Sequence, residues 1–334
     1  MTRTFAPRLA ALALAATLAL AGCSSTPARE DRPTITPATP AVSPEPAVAP
    51  AGQVLAAGGG EGLAFDPIGR RLAAISGNEI VLYTVDGGLK EVAKVPTEGR
   101  ANQVVASAGG GFQVAAKDKV VVIGKDADAA ENISLRVDGA DILTVVPWGT
   151  PPGALAGTSD GRVVELRASQ PPRTITGPVE ASLLLEHDGK AAVVDRRQAS
   201  ITEVDVPGGK VGKSLRVGRG ITNAAIDPFG RIFAVDTGAN QVLGYTLSPF
   251  MLHFQYPVTG SPWAIGYDET SKLMWVTQTA TNEVAGYALG SGMPEVKQRF
   301  ATVRQPNAIA VDAKSGTVFV QSATGGGIQA IPTR

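Results

Sequence analysis

Nucleophilic catalysis needs a base beside its nucleophile, usually histidine, and this chain of 334 residues holds two histidines and one cysteine. His187 falls in Glu186-His187-Asp188-Gly189, which reads as a hairpin turn. His253 falls in Met251-Leu252-His253-Phe254-Gln255-Tyr256, which reads as an outer strand. No His or Cys pair has zinc-ligand spacing. The glycine runs Gly58–Gly62 and Gly109–Gly111 lack the Lys-Ser/Thr of a phosphate loop and read as turns. No catalytic residue is assigned. A different set has the chemistry of a ligand site. Glu61, Asn102, Asp141, Glu180, Asn223, Trp263 and Asn307 recur about every forty residues. A ring of carboxylate and amide oxygens is suited to Ca²⁺ or Mg²⁺. Arg100, Arg219 and Arg304 lie a few residues before three of these positions. The plainer reading, which we favour, has the amides bonding loop backbone and the arginines pairing with the acids.

Such a ring requires an architecture that repeats. The clearest unit runs from Thr222 to Tyr245 and alternates short apolar runs with Asp227-Pro228-Phe229-Gly230 and Asp236-Thr237-Gly238-Ala239-Asn240. Asp, Pro, Gly and Asn supply the backbone geometry of tight turns, and the intervening runs are β-branched or aromatic enough for strands. The pattern recurs at Glu61–Ile75, Pro262–Val276 and Pro306–Val320, with turn aspartates Asp66, Asp268 and Asp312. Weaker copies lie at Gln103–Ala116, Asp141–Leu166 and Ala181–Val194. Units of about forty residues with four short strands are the signature of a β-propeller. The expected fold is therefore all-β, with seven blades over residues 53–334; six or eight blades are the alternatives. The last unit has three strands of its own. Gln53–Ala57 is expected to complete it as the outer strand and close the ring. The seven starts of the innermost strands then ring one mouth of the central channel. Trp148 and Trp275 read as blade packing, while Trp263 would stand at that mouth.

Ala225–Val242 resembles the NHL repeat and, more loosely, the YVTN-type propeller repeat; Gln241 stands where NHL repeats usually carry arginine. Propeller lactonases of the SMP-30 type bind a metal through a Glu/Asn/Asp set, and the ring of residues above is similar to it. That resemblance implies a metal-dependent hydrolase or lyase at the mouth.

Upstream of the propeller the composition changes twice. Arg3 and Arg8 precede an almost pure Leu/Ala run, Leu9–Ala21, too short to span a bilayer comfortably. It ends in Leu20-Ala21-Gly22-Cys23, which resembles the lipobox of bacterial lipoproteins. The resemblance implies a signal peptide over residues 1–22, lipidation of Cys23 and a place on the outer face of the bacterial cell membrane. As the only cysteine, Cys23 has no partner for an internal disulfide. Residues 23–52 hold Pro27, Pro33, Pro37, Pro40, Pro44, Pro46 and Pro50 among Ala, Thr and Ser, and read as a disordered, extended stalk. At about 3.1 Å per residue it would reach on the order of 80 Å. The chain as a whole is similar to the conserved lipoproteins of mycobacteria and their relatives, which join a lipobox, a Pro-rich stalk and a propeller-like body. Acidic and basic residues number 30 each, with no basic stripe, which argues against nucleic acid. The expected role is a monomeric binding module for a protein or cell-wall ligand, with the metal-dependent enzyme as the alternative.

Overall fold

Each repeat folds into four antiparallel strands because its apolar runs are short and each run ends in residues that turn the chain. The turn before Arg231 shows how. Asp227 Oδ1 accepts the backbone N–H groups of Phe229 (2.9 Å) and Arg231 (2.8 Å), and Gly230 takes φ +73°. This is an Asx turn, and it explains why aspartate recurs at this place. The computed structural model describes residues 1–2, 32–126, 133–168, 170–290 and 292–334. Cys23 and the proposed lipobox lie outside them.

The strands form seven four-stranded sheets. Blade 1 holds β2 (Leu63–Asp66), β3 (Arg71–Ser76), β4 (Glu79–Thr84) and β5 (Lys90–Pro96). Blade 2 holds β6 (Ala101–Ala106), β7 (Phe112–Ala116), β8 (Lys119–Ile123) and β9 (Ile133–Arg136). Blade 3 holds β10 (Ile142–Pro147), β11 (Ala154–Thr158), β12 (Arg162–Leu166) and β13 (Arg173–Thr176). Blade 4 holds β14 (Leu183–His187), β15 (Lys190–Asp195), β16 (Ser200–Asp205) and β17 (Lys210–Arg216). Blade 5 holds β18 (Ile221–Ile226), β19 (Arg231–Asp236), β20 (Gln241–Leu247) and β21 (Phe250–Pro257). Blade 6 holds β22 (Pro262–Asp268), β23 (Leu273–Gln278), β24 (Glu283–Ala288) and β25 (Glu295–Ala301). Blade 7 is built from β26 (Pro306–Asp312), β27 (Thr317–Ser322), β28 (Ile328–Pro332) and, from the other end of the sequence, β1 (Gln53–Leu55). β1 pairs antiparallel with β28, Val54 opposite Gln329, so the expected closure holds. The seven-bladed propeller is thereby a ring, and its innermost strands touch in order from β2 round to β26 and back to β2.

Burial follows position in the blade. Second strands such as β19 lie between neighbouring blades and are apolar on both faces; outer strands such as β21 are largely exposed. The apolar residues gather in seven clusters, each shared by two adjacent blades. With the core divided among the blade interfaces, the axis of the ring is free to carry polar side chains.

The structure departs from expectation at the stalk. Residues 33–52 form no strand of their own before β1, yet they lie along the propeller over the loops of blades 4 to 7. Ile35 N donates to the Arg197 carbonyl at 2.7 Å and its side chain packs on the blade 4–5 cluster. Ser43 is buried, its Oγ donating to the Thr279 carbonyl at 2.5 Å and accepting Gln305 N at 3.0 Å. Gln305 reads the strap backbone twice, accepting Ser43 N at 2.9 Å and donating to the Ala41 carbonyl at 3.0 Å. Asn282 donates to the Pro44 carbonyl, and Arg304 pairs with Glu45 at 2.7 Å. An extended Pro-rich chain cannot build a core, but its backbone groups are all unspent, and these loop side chains take them. Residues 33–52 are thus a strap rather than a free stalk.

Candidate functional site

A cavity of about 660 Å³ opens at the channel mouth on the face crossed by the strap. It is lined by six of the seven predicted ring residues: Glu61, Asn102, Glu180, Asn223, Trp263 and Asn307. Asp141 is the exception. It is exposed, and Leu143 lines the cavity in its place. The reason is that Asp141 lies two residues before the bulge position that Asn102 and Asn307 occupy in their blades. The register of β10 slips between Ile142 and Thr144, as that of β6 does between Ala101 and Gln103 and that of β26 between Pro306 and Ala308. The extra residue re-aims one side chain toward the axis, and in blade 3 that residue is Leu143.

The asparagines hold the ring together. Asn102 Nδ2 donates to the Ile142 carbonyl of the next blade at 2.7 Å, and Asn223 Nδ2 to the Trp263 carbonyl at 3.0 Å. Asn307 Nδ2 donates to Glu61 Oε1 at 2.7 Å across the closing seam. Each links neighbouring blades, Asn102 and Asn223 through a strand carbonyl and Asn307 through a carboxylate rather than through backbone. The arginines behave otherwise. Arg304 pairs with Glu45 of the strap rather than with a ring carboxylate. Arg100 lines the cavity and is exposed, its guanidinium making no hydrogen bond or ion pair among the described residues.

A residue that sequence reasoning missed sits at the centre of the site. Asp195 closes β15 and accepts the N–H groups of Val179 (2.7 Å) and Glu180 (3.1 Å), which fixes the Glu180 loop. Arg196 follows it and lines the cavity. Its backbone N–H donates to Ser182 Oγ at 3.0 Å, and Ser182 Oγ in turn donates to Glu180 Oε1 at 2.6 Å. The guanidinium reaches Asn223 Oδ1 through Nη2 at 3.3 Å, while Nε is buried with no acceptor among the described residues. Burial holds the Arg196 guanidinium below its ordinary range, and the charges of Glu180 and Glu61 oppose that shift. Both ring carboxylates therefore already face a cation supplied by the chain. Among the described residues no three His, Cys, Asp or Glu side chains converge as a metal-ligand cluster.

The histidines lie elsewhere. His187 ends β14, near Gly230 and Asp188. His253 is on the outer strand β21, 2.9 Å from Thr246 Oγ1. Neither lines the cavity.

No family model and no curated protein matches the chain. Solved structures do. The β-propeller domain of Cps50 (Swd1) from Myceliophteria thermophila is similar at 11% identity and a TM-score of 0.71, covering 84% of this chain and 98% of that one. A streptogramin B lyase is similar at 15% identity and a TM-score of 0.66, covering 84% and 95%. What they share is the fold. A catalytically inactive variant of virginiamycin B lyase from Staphylococcus aureus, crystallised with quinupristin, is similar at 15% identity and a TM-score of 0.66, covering 83% and 96%.

Proposed function

We propose that the chain is an exported, lipid-anchored envelope protein whose propeller captures a ligand at the channel mouth without transforming it. The observation that supports this reading is the placement of Arg196. Its guanidinium lines the same cavity as Glu61 and Glu180, so the mouth already holds a cation of the chain's own beside the two carboxylates. With no histidine at the mouth, general acid–base chemistry would fall to the two carboxylates, each of which has one oxygen held, Glu61 by Asn307 and Glu180 by Ser182. The alternative is a metal-dependent hydrolase or lyase at the same mouth.

Two measurements test the reading. Elemental analysis of purified protein is expected to give no stoichiometric Ca²⁺ or Mg²⁺, and chelator is expected to leave the melting temperature unchanged. Stoichiometric metal with chelator-sensitive melting would instead favour the enzyme. Labelled palmitate is expected to enter the chain in cells and to be lost in Cys23→Ser; labelling that survives the substitution would remove the anchor.

A further inference from the structure

The chemistry of the mouth, taken group by group, narrows the ligand class; the argument rests on the binding function proposed above. The three asparagines spend Nδ2 on neighbouring blades, and Asn307 Oδ1 is taken by Gln305 Nε2 at 3.1 Å. Asn223 Oδ1 takes one Arg196 N–H, and Asn102 Oδ1 has no partner among the described residues. Glu61 and Glu180 each use one oxygen, on Asn307 and Ser182, and neither bonds through the other among the described residues. The site therefore shows several open acceptors around two cationic donors, Arg196 and Arg100. The buried Nε of Arg196 lacks an acceptor, a state costly enough that an oxygen is expected to fill it.

Simple ions fit poorly. An anion on Arg196 would face Glu61 and Glu180, whose charges already act on that guanidinium, and a cation would face Arg196 itself. The two carboxylates and two guanidiniums balance, so a ligand without net charge meets no uncompensated field. A hydroxyl group is donor and acceptor at once. It can accept from Arg196 Nε while donating to a carboxylate or amide oxygen beside it, and neighbouring hydroxyls repeat the match around the ring. The half-buried Trp263 adds a flat apolar surface at the same mouth. The cavity volume of about 660 Å³ lies within the range of small-molecule sites. We infer that the mouth binds a neutral polyhydroxylated ligand, a saccharide, with Arg196 and Glu61 bonding its hydroxyls and Trp263 against its apolar face.

The purified full chain is screened on a printed array of neutral mono-, di- and trisaccharides, with free amino acids and inorganic phosphate run in parallel. The strongest hit is then titrated by calorimetry into wild type, Arg196→Gln and Glu61→Gln. Glu61 is exposed, so its replacement tests the site even if Arg196→Gln does not fold. The expected result is saccharide binding that weakens at least about tenfold in each folded variant, about 1.4 kcal/mol, with an unchanged melting temperature for Glu61→Gln. Absence of binding to every saccharide overturns the inference, as does preference for the amino acids or phosphate, or equal affinity in wild type and Glu61→Gln. A saccharide that is bound and then chemically altered would sink the non-catalytic function and leave this inference standing. A different ligand held unaltered at the mouth would do the reverse.

Discussion

Gln305→Ala tests whether the strap is part of the folded protein. Gln305 is buried, and its amide makes three hydrogen bonds: it accepts Ser43 N at 2.9 Å and donates to the Ala41 carbonyl at 3.0 Å and to Asn307 Oδ1 at 3.1 Å. Two of the three hold the strap. A net hydrogen bond is worth about 0.5–1.5 kcal/mol, and a buried donor left without an acceptor costs about 1–3 kcal/mol. Ser43 N would be left in that state, because Ser43 is 1% exposed. The strap should therefore lose about 2–4 kcal/mol of docking free energy. At about 1.4 kcal/mol per tenfold, the Ser43 amide should exchange with solvent deuterium roughly 30- to 1,000-fold faster than in wild type. The Val235 amide, in β19 between blades, serves as the control and should keep its rate. Ser43→Ala, which removes the Oγ bonds to Thr279 and Gln305, should act in the same direction. The reasoning is refuted if residues 33–45 exchange at free-peptide rates in wild type, or if Gln305→Ala leaves Ser43 as protected as before.

Deletion of residues 53–57 should lower the melting temperature by on the order of 10 °C, since it removes β1 and opens blade 7 along β28; a melting curve that does not move would refute closure by this strand. Asp312→Asn should destabilise the protein by about 1–3 kcal/mol in urea titrations. It weakens bonds to Lys314 N, Ser315 Oγ and Arg70 of blade 1, whose remaining carboxylate partner, Asp86, is exposed. Burial alone would raise the Asp312 carboxyl, but the bonds from Ser315 and Arg70 outweigh it and hold it below its ordinary range. Its contribution is thus present above about pH 4 and lost as pH falls through the lower folded value, so the variant and wild type should converge in strong acid. At the alkaline end, burial, with Glu91 and Glu79, pushes the Tyr83 hydroxyl up to about 12, and burial also raises Tyr245, Tyr267 and Tyr287. The folded state keeps protons that the unfolded chain releases, so stability is full below about pH 10 and lost as pH rises through about 12. Phenolate absorbance and melting temperature followed together check this; phenolates appearing near pH 10 with the fold intact would contradict it.

Much of the ring was legible because the propeller repeats its chemistry along with its strands. Asp66, Asp227, Asp268 and Asp312 mark the same turn in four blades, each accepting backbone N–H groups two to four residues on. Counting from them fixes the blade number and places six of seven mouth residues. Asp141 failed because the repeat is degenerate in blade 3: the position equivalent to Asn102 and Asn307, inside the same bulge, is Leu143, two residues further on and apolar. Arg196 was invisible for another reason. In Asp195-Arg196-Arg197 it looks like surface charge in a turn, and only the fold brings that turn beside Glu180, with Asp195 spent on its loop. The strap was misread because composition reports what a segment does alone. Six prolines forbid a core of its own; they say nothing of the Gln305, Asn282 and Arg304 side chains waiting across the face.

Those contacts also run inward. Ser43 bonds Gln305, Gln305 bonds Asn307, and Asn307 bonds Glu61 in the mouth. The strap and the ligand site thus share one hydrogen-bonded chain, in which loss of any link changes the partners of the next. On the anchoring proposed above, docking of residues 33–45 also shortens the length of free chain between Cys23 and the propeller. The tether then meets the propeller on the face of the mouth, where Ile35 bonds Arg197 beside Arg196. Release of the strap would lengthen the tether and free Gln305 in one step. Glu61 would keep Asn307 but lose the amide that orients it, so a ligand bound through Glu61 and the strap bound through Gln305 should each favour the other's site. The coupling is checkable from either end: a saccharide at the mouth should slow exchange of the Ser43 amide, and Gln305→Ala should weaken the saccharide.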